Sequence, residues 1–194
     1  SLTDKKAKSF SYFCLPLKSC RIMNIALYCS SKDRLPESWQ QAATALGHWL
    51  GRRRATLVYG GVDRGLMRIA AAAARGAGAS VTGVVPARRR HLTSPANEVT
   101  VPVKAVIQML ADAFVVLPGG YGTLDELASA FAHLNFTGAE KPVFILNPDG
   151  LYDPLLDQIR LMASRGLMDP SLASKLRPVA DTDSLIAALE RFAR

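Results

Sequence analysis

The chain has 194 residues, 49% of them hydrophobic and 21% charged, with a formal net charge of +8. This is enough chain for one domain with a full core, in the proportions of a water-soluble globular protein, and no run of about 18 apolar residues offers a membrane span. Lys5, Lys6, Lys8, Lys18 and Arg21 against Asp4 put half of the positive excess into residues 1–22; the mildly basic remainder suits a small anionic ligand and has no long basic face with interleaved aromatics for nucleic acid.

Residues 1–22 read as an N-terminal arm. Its apolar part, Ser9 to Leu17, is too short and interrupted for a signal peptide. The first strand begins only near Met23, so the natural start of a domain over 23–194 is expected close to Met23, with the arm an extension ahead of it. Cys14, Cys20 and Cys29 are an odd set without metal spacing, as expected of reduced thiols in a cytoplasmic protein. Met23 to Cys29 is an apolar first strand that leaves through Ser30 and Ser31. A helix follows from about Pro36, at the position where proline suits a helix start, with Trp39, Ala43, Leu46 and Leu50 as its apolar face. Arg52-Arg53-Arg54 closes it, read as a solvated helix end at the negative pole of the dipole rather than a phosphate clamp.

Thr56 to Tyr59 is the second strand. It runs into Gly60-Gly61-Val62-Asp63-Arg64-Gly65-Leu66-Met67, a glycine loop opening a helix that contains the unbroken run Ala70 to Ala74, small enough for close packing on a sheet. Ser80 to Val85 is the third strand, stopped by Pro86. Over 87–98, Arg88, Arg89, Arg90 and His91 form a basic loop that either reaches a phosphate or is simply solvated. A helix from about Val103 leads to a fourth strand, Asp112 to Leu117. Then comes Pro118-Gly119-Gly120-Tyr121-Gly122-Thr123-Leu124-Asp125-Glu126, followed by Leu127, Phe131 and Leu134 at helical spacing with Leu124. Val143 to Leu146 is the fifth strand, Asn147 to Gly150 a turn, and Pro154 to Arg165 a helix with Leu155, Ile159 and Met162 inward. A short strand near Val179 and a helix over about Asp183 to Phe192 close the chain.

Strands alternating with helices imply a parallel sheet covered on both faces: an α/β, Rossmann-like, doubly wound single domain of strand order 3-2-1-4-5, with a possible sixth strand. Ligands of such sheets bind at the carboxyl ends of the strands where the order reverses. Ser30 leaves strand one there, Gly119 to Thr123 leave strand four, and Gly60, Gly61 and Gly65 leave strand two beside them. A glycine turn into a helix N-terminus exposes amides and favours an anion, above all phosphate. The bland reading makes these turns packing devices, and Thr123 and Glu126 a capping box. The convergence of three loops on one crevice favours a ligand. Gly119, Gly120, Gly122 and Thr123 are then the phosphate cradle and Glu126 the functional carboxylate, with Asp125 facing solvent or serving the cap. The motif is neither the dinucleotide fingerprint, because Asp125 stands where a third Gly belongs, nor a Walker loop.

Pro-Gly-Gly-x-Gly-Thr-x-x-Glu at Pro118–Glu126 and Gly-Gly-x-x-x-Gly-Leu-Met at Gly60–Met67 resemble the Lonely Guy (LOG) family, often labelled lysine decarboxylases, over about Asn24 to Met168. The resemblance implies a cytokinin riboside 5′-monophosphate phosphoribohydrolase: a homodimer acting on a nucleotide such as AMP or a cytokinin riboside monophosphate, without metal or cofactor. Glu126 is then catalytic, and Lys104 adds charge near the phosphate. The family pattern has an Arg-Lys pair where this chain has Val103 and Lys104, so the Arg is absent; Arg64, Arg68 or Arg88 to Arg90 would have to supply a guanidinium from elsewhere. The rival reading is a non-catalytic nucleotide or cofactor binder, similar to molybdenum-cofactor carriers. A lysine decarboxylase would want a Schiff-base lysine in a pyridoxal phosphate site, which no motif here supplies.

Overall fold

A computed structural model of the chain describes residues 22–85 and 103–194. The arm before Ile22 and the basic segment read at 87–98 lie outside the described residues, as do Cys14 and Cys20.

Six strands form one parallel sheet of order β3-β2-β1-β4-β5-β6. They are β1 (Asn24–Tyr28), β2 (Thr56–Tyr59), β3 (Ser80–Gly83), β4 (Ala113–Val116), β5 (Val143–Leu146) and β6 (Leu176–Val179). The predicted order holds, and the sixth strand is real. The register sets Tyr28 beside Val116 and Leu27 beside Tyr59, so the carboxyl ends of the central strands finish level. β1, β4 and β5 are buried almost throughout because both faces are covered. Along β1 the faces alternate. Ile25, Leu27 and Cys29 join the layer under α1 (Glu37–Arg53), α2 (Gly65–Gly76) and α7 (Thr182–Phe192); Ala26 and Tyr28 join the layer under α3 (Val103–Leu110), α4 (Tyr121–Thr137), α5 (Asp153–Ser164) and α6 (Pro170–Ala173). No helix among the described residues is long and apolar enough to cross a membrane.

Several inward faces differ from expectation. In α1, Trp49 is fully buried and Trp39 only partly so. In α5, Leu156 and Ile159 are the buried pair, while Leu155 and Met162 line an apolar groove against α4. The alanine run of α2 packs on α1 as well as on the sheet. A Cβ at Gly47 would lie 2.5 Å from Ala73 Cβ, and one at Gly51 would lie 2.3 Å from Ala77 Cβ. Bare glycine on one helix and alanine on the other let the two axes approach.

Candidate active site

The crevice lies where the strand order reverses, between β1 and β4. After β4 the chain passes Leu117 and Pro118 to Gly119 and Gly120, and α4 begins at Tyr121, three residues before Leu124, where its helical spacing starts. Gly120 is the N-cap, with φ −101° and ψ −151°, and no side chain caps the helix. The capping-box reading is thereby corrected: Thr123 sits inside the first turn, 3% exposed. Its side chain fills the space over Gly119, where a Cβ would fall 2.0 Å from Thr123 Oγ1. At Gly120 and Gly122, by contrast, a Cβ would meet nothing within 4 Å. The loop is therefore closed beneath by Thr123 and open above, where the first amides of α4 have no acceptor within the helix and the dipole is positive.

Ser30 ties the three loops together. Its N–H donates to the Pro118 carbonyl at 3.1 Å, and its carbonyl accepts from Leu66 N–H at 3.0 Å. Its hydroxyl accepts from Lys32 N–H at 3.1 Å, so it organises its own loop. The glycines of the second loop divide by role. Gly61, at φ +70°, has Val85 Cγ1 2.4 Å from where a Cβ would stand; Gly65, at φ +57°, has the Lys32 carbonyl oxygen at 2.4 Å. Close backbone packing at positive φ accounts for both. The N-terminus of α2 already holds an anion of the protein's own. Asp33 Oδ1 accepts from Gly65 N–H at 3.1 Å, and Oδ2 accepts from Arg64 Nε at 3.1 Å and Nη2 at 2.9 Å. The Arg64 guanidinium and that amide hold the Asp33 carboxyl below its ordinary range. Arg64, and Arg68 at 3.9 Å, are thus turned toward Asp33. Sequence reasoning missed Asp33, because one acid in a basic loop gives no periodic signal.

Gly60 is the exception. A Cβ there would stand 3.6 Å from Glu126 Oε1, so the second loop meets the motif helix through bare backbone and the Glu126 carboxyl. Glu126 is half-buried, and burial pushes its pKa up to about 7; Lys104 pulls the other way and Asp125 adds to the rise. Burial also raises the Tyr28 hydroxyl and the Cys29 thiol, and the nearby Glu126 charge raises both further. Glu126 therefore stands over the end of β1. Asp125 faces solvent as expected, but it also holds the Lys104 ammonium in an ion pair. Lys104 is spent on that pair and reaches Glu126 only through its field. Val103 is the first residue of α3. From α5's side, Tyr152 donates its hydroxyl to the Leu117 carbonyl at 2.9 Å and pins the exit of β4. The arrangement offers open helix amides for an anion, and a carboxyl that changes charge near neutrality a short way along the crevice.

A model of the family described as possible lysine decarboxylase matches residues 67–189. The cytokinin riboside 5′-monophosphate phosphoribohydrolase LOG of Oryza sativa subsp. japonica is 36% identical over 180 residues, covering 89% of this chain and 74% of the rice protein. A cytokinin riboside 5′-monophosphate phosphoribohydrolase of Arabidopsis thaliana is 36% identical over 183 residues, covering 89% of this chain and 83% of the relative. Among solved structures, the molybdenum cofactor binding protein of Rippkaea orientalis superposes with a TM-score of 0.67 at 20% identity, over 90% of this chain and 99% of that one; at that identity the likeness concerns the fold.

Proposed function

Because the chain belongs to the possible lysine decarboxylase family, in which its curated relatives are cytokinin riboside 5′-monophosphate phosphoribohydrolases, we propose that it hydrolyses the N-glycosidic bond of a nucleoside 5′-monophosphate to free base and ribose 5-phosphate. The observation that carries this reading is the placement of the Glu126 carboxyl against bare Gly60, beside the open amides at the head of α4. The 5′-phosphate docks on the amides of Gly120 to Thr123, where the open space over Gly120 and Gly122 leaves it room. The ribose then lies toward Glu126. Cleavage at a glycosidic carbon passes through an oxocarbenium-like state; an ionised Glu126 stabilises that cation and activates water. Its raised pKa, pushed up to about 7 by burial, lets Glu126 take up and release a proton near neutral pH. Lys104, held by Asp125, contributes positive field near the phosphate. The substrate is of the cytokinin riboside monophosphate or AMP kind, and the enzyme works as a cytoplasmic homodimer.

Val103 favours a second reading. It stands where the resemblance places an Arg, and Arg64 and Arg68 are directed to Asp33. On that reading the crevice binds a nucleotide or cofactor without cleaving it. Incubation with AMP and with isopentenyladenosine monophosphate, followed by chromatography of the free base, separates the two. Release of base is expected, and Val103→Arg should raise the rate. Binding of AMP with no base from either protein would leave only the binding role.

A further inference from the structure

The buried tyrosines of the crevice are not alike. Tyr152 spends its hydroxyl on the Leu117 carbonyl. Tyr28, the last residue of β1, is 1% exposed, and among the described residues its hydroxyl has no hydrogen-bond partner. A buried unpaired hydroxyl is costly, and such groups are few enough that each calls for a reason. The Tyr59 hydroxyl is also unpaired, but Tyr59 belongs to the opposite layer, where Arg75 of α2 and Asp63 act on it. The Tyr28 ring is held by packing, stacked on Phe114 with centroids 5.9 Å apart and planes at 25°, in the layer beneath α4. Among the described residues, Glu126 is the one charged group acting on its hydroxyl.

Glu126 shows the complementary deficit. Its charge acts on Tyr28 and Cys29 at the end of β1, Lys104 of α3 and Asp125 of its own helix act on it, and bare Gly60 lies alongside. Among the described residues none donates a hydrogen bond to it, and Lys104 is committed to Asp125. Among the described residues, a buried donor without an acceptor and a half-buried carboxyl without a donor thus meet at one end of the sheet: Tyr28 and Gly60 directly follow the paired residues Leu27 and Tyr59, and Glu126 Oε1 lies 3.6 Å from where a Gly60 Cβ would stand. We propose that Tyr28 is a positioning residue for the hydrolysis proposed above: its hydroxyl is held in reserve for Glu126 and donates to the ionised carboxylate once bound nucleotide has displaced water from the crevice. The hydrogen bond, charge-assisted and sheltered from solvent, keeps Glu126 ionised and aimed at the sugar.

Tyr28→Phe tests this, because it keeps the ring and the stack and removes only the hydroxyl. Among the described residues no hydrogen bond of the free protein is lost, so the melting temperature should equal or exceed that of wild type. The Glu126 carboxyl can be titrated directly by carbon-13 NMR of glutamate-labelled protein, its signal assigned by its loss in Glu126→Gln. Without ligand, wild type and Tyr28→Phe should titrate alike. With ribose 5-phosphate or AMP bound, the wild-type midpoint should fall, and that of Tyr28→Phe should stay higher by roughly one pH unit. Turnover of AMP at pH 7 should drop about tenfold, with KM nearly unchanged. Identical liganded titrations would overturn the proposal, as would a Tyr28→Phe protein that melts lower and loses affinity without any change in the titration. A wild type that binds AMP but frees no base would refute the hydrolase reading alone, since the titration still decides the role of Tyr28; a wild type that binds neither ligand would end both.

Discussion

Glu126 has a stability signature as well as a chemical one. Burial makes its folded carboxyl hold a proton more tightly than a solvated glutamate does, with the pKa pushed up to about 7. Below about pH 4.5 both folded and unfolded states are protonated and the group is neutral toward folding. Between 4.5 and 7 the unfolded chain has released a proton that the folded state still binds, so the contribution of Glu126 to stability falls as pH rises through this window. At pH 8 the folded state carries the full cost of an ionised, half-buried carboxylate, on the order of 1–3 kcal/mol. Glu126→Gln should therefore melt above wild type at pH 8 and level with it at pH 4.5, while turnover falls on the order of a hundredfold. Equal melting differences at both pH values would disprove the burial argument, and turnover that survives the substitution would mean that another carboxylate does the work. The position of Glu126 after the glycine motif was legible in the sequence. Its elevated pKa was not, because that comes from β1 and Gly60, remote in sequence. The same holds for Asp33, which occupies the N-terminus of α2, and for Lys104, whose partner proved to be Asp125.

The head of α4 makes its own discrimination among glycines that look alike in the motif. Gly119 is required by the fold, since any Cβ would strike the Thr123 hydroxyl. Gly122 is required by nothing in the protein, because the space around it is open. Gly122→Asp should consequently fold with little change in melting temperature, an acid in the first turn being favoured by the dipole. It should weaken AMP binding at least about tenfold, because its carboxylate competes with phosphate for the same amides. Gly119→Ala should lower the melting temperature even in the absence of ligand. Calorimetric titration and thermal melts on the two variants check both arms, and AMP binding undiminished in Gly122→Asp would place the phosphate elsewhere. Apolar strand runs and helical spacing made the elements readable, to the residue for β2 and β5. They could not separate a glycine that admits a ligand from one that admits Thr123. Nor could they show α6, whose four residues are too few for a period.

Across the whole molecule, the alternation of strands and helices was sufficient to give the sheet order, because right-handed parallel crossovers leave few arrangements. It was less informative about which surface remains for a partner. The alanine-rich face of α2, read from sequence as suited to close packing, is buried against α1 and the sheet. Among the described residues, an apolar surface runs along α4 and α5. A groove of about 450 Å³ is lined by Leu124, Phe131, Leu155, Met162 and Leu167 among others, and Phe136 on α4 is 91% exposed. A lone soluble protein seldom leaves so continuous an apolar surface uncovered, and a two-fold pairing would let the same face of a second copy cover it. The homodimer should thus form through α4 and α5 rather than α2. Light scattering at micromolar concentration should give twice the 20.9 kDa of one chain. Charging the rim of the groove with Leu167→Asp should halve that mass, whereas Arg75→Glu on the α2 side should leave it unchanged. A monomeric wild type would refute the assembly, and a dimer indifferent to Leu167→Asp would move the interface off this groove.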